Sequence, residues 1–276
     1  MEYNIIYYSK MWEVCPLDIT VKGIKVHCEV TGEGAPVLIL HGWGTSSEVM
    51  KSAAQSFEGK MKVFSLDLPG FGQSEEPVED HWDIYSYADF VMEFCREADI
   101  VKPVILAHSF GGRIALILAG KKMMDINKLI LTGCAGIKPK RGADYYIKVY
   151  SYKLGKKLSK VFGKLSPGYE EKLKQKHGSA DYAAASNKMR AVMVRTVNED
   201  LKYLLPEINV PCLLVWGEND DATPLSDGKL MEKLIPDSGL VVMPDSGHYA
   251  FLENGVWFGN IVRSFCEKEM EENKNG

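Results

Sequence analysis

The sequence has no run approaching the roughly 18 consecutive apolar residues of a membrane-spanning helix, so no stable membrane insertion is expected. It has no C-x-x-C pair. Its cysteines, at positions 15, 28, 95, 134, 212 and 266, stand singly, which suggests neither a zinc knuckle nor a dithiol redox motif. A chain of 276 residues can bury a core without disulfides, and reduced thiols in the cytoplasm are expected. There is no basic excess either. Lys and Arg number 33 against 37 Asp and Glu, a net charge of −4, which argues against a general nucleic-acid binder. Residues 1–14, MEYNIIYYSKMWEV, lack the basic start and apolar run of a secretory leader; residues 1–12 are expected to be an accessory arm. Internal repeats and low-complexity tracts are missing.

What is present is alternation. Residues 17–21 and 24–30 flank Lys22-Gly23 and read as a hairpin. Short apolar runs at 37–40, 62–66, 104–107 and 129–132 read as buried strands. Between them, 47–57, 85–98 and 111–120 read as helices. After Pro206 the alternation resumes, with strands at 212–216 and 240–243 and helices at 225–234 and from about 249 to 267. Strand-helix alternation of this kind predicts an α/β fold, a mostly parallel twisted sheet with helices on both faces.

Residues 138–205 break the pattern. No strand is evident there. Ile147, Tyr150, Leu154, Leu158, Val161 and Leu165 recur at helical spacing, and Met189, Val192, Met193, Thr196 and Val197 repeat the signal. This segment is expected to be a helical cap on a core of residues 13–137 and 206–270, with Ile147, Tyr150, Leu154 and Met193 on its inner face. It holds 16 Lys and Arg against 6 Asp and Glu, a net +10, whereas the rest of the chain carries −14. Solvated helix faces account for that charge. A basic lid steering anionic substrates, with Arg190 and Arg195 as candidates, is the sharper alternative.

Ala107-His108-Ser109-Phe110-Gly111-Gly112 lies where a buried strand meets a glycine-rich helix start. A serine there sits on a tight strand-to-helix turn with its hydroxyl above the sheet edge, and small residues two before and two after it let the backbones approach. Ala107 replaces the first glycine of G-x-S-x-G. His41-Gly42-Trp43-Gly44 follows another strand. Acyl transfer needs two N–H donors aimed at a developing oxyanion, and the backbone N–H groups of Trp43 and Phe110 are the natural pair.

These segments resemble the α/β-hydrolase superfamily, and within it the bacterial branch of carboxylesterases, lipase-like enzymes and meta-cleavage-product hydrolases. Asp67-Leu68-Pro69-Gly70-Phe71-Gly72-Gln73-Ser74 resembles that branch's D-x-P-G-x-G-x-S loop. Trp216-Gly217-Glu218-Asn219-Asp220-Asp221-Ala222-Thr223-Pro224 resembles its W-G-x-x-D-x-x-x-P segment, which implies Asp220 as the triad acid, with Asp221 its rival. Asp245-Ser246-Gly247-His248 resembles its G-H segment, which implies His248 as the base. The order Ser, Asp, His is that of the superfamily. His27, His81 and His177 are expected to be structural. Asp67 is expected to order its turn, and Asp245 to be a loop carboxylate. His41 and His108 flank the site and, with Tyr150, Met193 and Tyr249, make up the candidate substrate-binding set.

A serine nucleophile sets the chain apart from haloalkane dehalogenases and epoxide hydrolases, which carry aspartate there. Pro69 stands where proline iminopeptidases usually have Arg. Meta-cleavage hydrolases usually carry Asn before the nucleophile and Trp after the histidine, where this chain has His108 and Tyr249. The resemblance therefore implies a serine hydrolase of carboxylic esters with small to medium acyl groups. A carbon–carbon hydrolase of vinylogous diketones and a slow small-molecule sensor are the alternatives. The expected partner is a small-molecule ester, and neither metal nor organic cofactor is implied.

Overall fold

The computed structural model describes residues 14–57, 59–79, 81–138 and 185–272. The chain opens with β1 (Cys15–Val21) and β2 (Ile24–Thr31), paired antiparallel from Cys15↔Val30 to Val21↔Ile24. Lys22 and Gly23 turn between them at φ 50° and 76°. Positive φ at both central residues is the type I′ turn, whose twist matches that of the strands.

The remaining strands are β3 (Pro36–Leu40), β4 (Lys62–Leu66), β5 (Val104–His108), β6 (Lys128–Thr132), β7 (Cys212–Gly217) and β8 (Ser238–Met243). They join one sheet in the order β1-β2-β4-β3-β5-β6-β7-β8. The pairing is antiparallel as far as β4 and parallel from there to β8. Successive residues of a strand face opposite sides, and both sides are covered. Leu38, Leu40, Ile105, Ala107, Leu129 and Leu131 pack toward one layer of helices. Val37, Ile39, Val104, Leu106 and Ile130 pack toward the other, against Phe57, Phe251 and Phe258.

The longer helices are α1 (Ile84–Glu97), α2 (Phe110–Gly120), α3 (Asn187–Thr196), α4 (Leu225–Leu234) and α5 (Gly255–Phe265). Helix α1 begins with a capping box between Asp83 and Ser86, which satisfies N–H groups that the first turn leaves open. Every residue of α2 is buried, so the helix behind the nucleophile candidate is a core element.

The α/β architecture expected from the alternation is present, with local differences. Strand β8 starts two residues early, because Ser238 and Gly239 pair with Cys212 and Leu213. Residues 47–57 form three short helical turns, Ser47–Met50, Lys51–Ala54 and Gln55–Phe57, instead of one helix. The C-terminal helix is divided into Ala250–Glu253, α5 and Glu267–Glu272. Asn254, at φ −140°, leaves the helical region, and its side chain accepts from Trp257 N–H to start α5 anew. Within 138–205, residues 185–205 supply α3 and most of a 3₁₀ turn, Lys202–Glu207. Residues 1–12 and the expected inner-face residues Ile147, Tyr150 and Leu154 lie outside the described residues.

All six cysteines are unpaired; Cys15 is exposed and the other five are buried. Among the described residues no helix is long and apolar enough to cross a membrane.

Candidate active site

Parallel register brings the C-terminal ends of the central strands to one edge. Leu40 lies beside Ala107, His108 beside Thr132, Thr132 beside Val215, and Gly217 beside Met243. Open α/β sheets place their ligands outside this edge, and the loops leaving it carry Trp43, Ser109, Asp220 and His248.

Ser109 is the N-cap of α2 at φ 50°, ψ −107°. A non-glycine residue is rarely held there, and such strain marks functional turns. Gly111 makes the turn possible: a methyl group on it would lie 2.4 Å from the Leu40 carbonyl oxygen and 2.8 Å from that of His41. The Gly111 N–H donates to the His41 carbonyl at 3.1 Å, and the Gly112 N–H to the Ser109 carbonyl at 3.1 Å. Among the described residues, the N–H groups of Phe110 and Trp43 have no acceptor. Two open donors therefore flank the serine.

The turn after β3 is held by His41. Its Nε2 accepts from Leu68 N–H at 3.0 Å, which fixes the proton on Nδ1, and Nδ1–H donates to the Gly42 carbonyl at 2.7 Å. Burial outweighs the Gly42 bond and the Asp67 charge, and lowers its pKa to about 4. Asp67 closes the same corner by accepting from Ser47 N–H at 2.7 Å and Gln73 N–H at 2.8 Å. It orders its turn, as expected. The Phe71 ring meets Trp43 edge-on at 4.9 Å, and Trp43 meets Phe110 at 5.1 Å, so an aromatic cluster backs both open N–H groups.

His248 Nδ1 lies 2.8 Å from Asp220 Oδ2. Asp220 is buried, and Asp221 beside it is exposed. Burial pushes the Asp220 carboxyl up, but the hydrogen bonds from His248 and Thr223 prevail and hold it below the usual carboxylate value. Its other oxygen accepts from the N–H groups of Ala222 at 3.0 Å and Thr223 at 2.8 Å. The two loops meet closely because Gly217 has no side chain: a methyl group there would come within 2.1 Å of the Gly247 carbonyl. Asn219 N–H donates to the Ser246 carbonyl at 2.8 Å across the same crossing. Trp216 Nε1–H anchors the Asp220 loop on the Thr223 carbonyl at 2.7 Å. Among the described residues no hydrogen bond joins Ser109 to the His248 ring; such contacts often tighten only when substrate is bound.

Thr223 escaped the sequence analysis. Its hydroxyl lies 2.9 Å from Asp220 Oδ2 and 3.0 Å from the Gly133 carbonyl, which makes it a direct partner of Asp220. A threonine three residues after an aspartate in a turn was the available signal.

The expected substrate-binding set differs in burial. His41 and His108 have no exposed surface. His108 Nδ1–H donates to the Thr132 carbonyl at 3.0 Å, and its ring stands 4.6 Å from that of His248 and 4.9 Å from Tyr249. Burial and the neighbouring His248 lower its pKa to about 3. Tyr249 is half-buried, 5.4 Å from the His248 ring. Met193 is half-buried on α3, and Tyr150 lies outside the described residues. His27, paired with Asp18 at 2.8 Å, and His81, beside Glu79, sit on ordinary structural contacts. Among the described residues no group of three or more His, Cys, Asp or Glu is arranged to hold a metal ion.

A strained serine at a strand-to-helix turn, with a His–Asp pair on later loops of the same sheet edge, defines a hydrolase of the α/β type. The sequence pattern of the alpha/beta hydrolase fold family matches residues 35–255, and the chain belongs to that family. It is 28% identical over 255 residues to a pimeloyl-[acyl-carrier protein] methyl ester esterase of Neisseria meningitidis, covering 86% of this chain and 78% of the relative. It is similar in structure to an esterase from Exiguobacterium antarcticum, with a TM-score of 0.71, 25% identity, and coverage of 92% and 100% of the two chains. A meta-cleavage product hydrolase from Pseudomonas fluorescens shares the fold, with a TM-score of 0.69, 19% identity, and coverage of 93% and 98%.

Proposed function

We propose that the protein is a serine hydrolase that cleaves carboxylic esters of small to medium acyl groups through an acyl-enzyme on Ser109. The observation that carries this reading is the hydrogen bond from His248 Nδ1 to the buried Asp220, which leaves Nε2 as the free base on the sheet edge that holds Ser109. The two open N–H groups of Trp43 and Phe110 support it, as do the ester-cleaving relatives.

In the proposed cycle, Ser109 Oγ attacks the ester carbonyl carbon while His248 Nε2 takes the hydroxyl proton. The former carbonyl oxygen becomes an oxyanion held by the Trp43 and Phe110 N–H groups. The imidazolium is stabilised by Asp220. His248 then gives its proton to the alcohol oxygen as the carbon–oxygen bond breaks. Water attacks the acyl-enzyme, its proton passes to His248, and the acid leaves as Ser109 regains its proton. Residues 138–205 act as a cap, with Met193 and Tyr249 as substrate contacts. The expected setting is the cytoplasm.

The test is a panel of p-nitrophenyl esters of increasing acyl length, run beside a vinylogous diketone and a fluorophosphonate label. Ester turnover with labelling of Ser109 is the expected result. Diketone cleavage without ester turnover moves the assignment to carbon–carbon hydrolysis. Absence of both, with no label on Ser109, leaves a non-catalytic sensor.

A further inference from the structure

Arg113 is a cation in an unfavourable place. It lies in the first turn of α2 and is 4% exposed. A positive charge near a helix N-terminus opposes the helix dipole, and burial draws its pKa below the ordinary guanidinium value. The residue is therefore a burden to α2, and its benefit lies where its side chain ends.

That end is the carboxyl terminus of α3. Arg113 Nη1 donates to the Glu199 carbonyl at 2.8 Å and Nη2 to the Val197 carbonyl at 3.1 Å. Val197 is the C-cap of α3, where open carbonyls gather partial negative charge. One fork of donors spans two carbonyls, a geometry that a lysine ammonium does not reproduce.

The other end of α3 is also fastened. Lys188 Nζ donates to the Pro77 carbonyl at 2.9 Å. Met189 is buried, and a methyl group on Gly70 would come within 2.5 Å of its terminal carbon. Gly70 precedes Phe71, whose ring backs Trp43. Helix α3 thus bears on the site from two directions. One runs through Arg113, four residues beyond Ser109; the other runs through Gly70 and Phe71 to the loop with the open Trp43 N–H.

We infer that Arg113 is a positioning residue that clamps the carboxyl end of α3 to the nucleophile helix and so fixes the returning arm of the 138–205 segment relative to Ser109. Selection among acyl groups by that arm rests on the esterase reading; the clamp itself does not.

Two measurements on the full chain test this, using Arg113→Met and Arg113→Lys. In hydrogen exchange, the amides of 187–201 exchange about tenfold faster in Arg113→Met and less so in Arg113→Lys, as loss of two charge-assisted bonds implies, while β5 and β6 keep their protection. In kinetics, KM for a long-chain p-nitrophenyl ester rises about tenfold with kcat held within about threefold, and a short-chain ester is little affected. A purely structural role would instead lower kcat for both esters alike through loss of active protein, and would overturn the inference. Unchanged protection of 187–201 in Arg113→Met would overturn it too. Should the wild type turn over no ester, the esterase reading falls and exchange alone decides the clamp. Should Arg113→Met fail to fold, exchange and the KM-against-kcat comparison in Arg113→Lys decide it.

Discussion

The Thr223 hydroxyl has one proton and two acceptors, Asp220 Oδ2 and the Gly133 carbonyl. When the proton points to Asp220 it competes with His248 for the same oxygen; when it points to Gly133 the carboxylate is left to the imidazole. Thr223→Val removes that bond and is expected to lower kcat about tenfold with KM little changed. Asp220→Asn is expected to cost about 10⁴ in kcat, because the wrong tautomer of His248 is then favoured, whereas the exposed Asp221→Asn leaves kcat near the wild-type value. The reverse ranking would move the acid by one residue. His41 and His108 give a pH signature of their own. Burial lowers them to about 4 and about 3, while in the unfolded chain they titrate near 6.5. The unfolded state therefore binds more protons below that value. Their stabilising effect is complete above pH 6.5 and is lost as pH falls toward the folded values, at about 1.4 kcal/mol per pH unit for each histidine. Urea midpoints measured from pH 7.5 to 5 should fall accordingly, and His108→Gln should flatten the slope whatever it does to absolute stability.

At the scale of elements, the turn into α2 is defined by what cannot fit around it. An alanine at 111 meets the main chain of β3, which has no room to yield. An alanine at 112 meets the Cys134 sulfur at 2.4 Å and its Cβ at 3.0 Å, a side chain that can be trimmed. Gly111→Ala is expected to destabilise by about 3 kcal/mol, near the upper end of overpacking costs. Gly112→Ala should cost less and be partly rescued by Cys134→Ala; thermal melts of the single and double variants check both, and equal costs without rescue would contradict this account. The same contrast explains how much could be read in advance. Buried strands such as Val37–Leu40 and Val104–Ala107 announce themselves as apolar runs. The places of Ser109, Asp220 and His248 beyond strand ends were readable because each follows such a run in a short pattern of small residues. The contacts of Met189 and Arg113 were not, since they depend on partners 119 and 86 residues away, respectively Gly70 and Glu199; of Thr223's contacts only the one to Gly133, 90 residues away, was out of reach. The full burial of His41 and His108 was hidden for the same reason: their polarity suggested contact with water, and their ring nitrogens instead meet the main chain of Leu68 and Thr132. The divided C-terminal helix was signalled by Asn254-Gly255, a turn pair that the surrounding apolar periodicity masked.

Across the whole molecule, the C-terminal turn is tied to the centre of the sheet by a single cation. Lys128, at the start of β6, donates to Glu269 Oε2 at 2.8 Å and to the Phe265 carbonyl at 2.8 Å, and lies over the Phe265 ring. Glu269 also accepts from the Asn127 amide at 3.3 Å. Removing one partner leaves the other charge with little water. Glu269→Gln is therefore expected to destabilise by about 3 kcal/mol in urea unfolding, and Lys128→Met together with Glu269→Leu to cost less than either single change. An additive double variant would show that the pair is not a unit.

The distribution of the six thiols has a practical consequence. Burial raises Cys95, Cys134 and Cys266 to about 12, and Cys28 and Cys212 are pushed higher still. Only Cys15 faces solvent, at the beginning of the edge strand, with β2, β4 and β3 between it and the strand that delivers Ser109. A maleimide dye or a surface tether should therefore attach to the native chain at one place, without any cysteine being engineered, and with three strands separating it from the one that delivers Ser109. The protein carries its own handle for single-molecule observation of turnover.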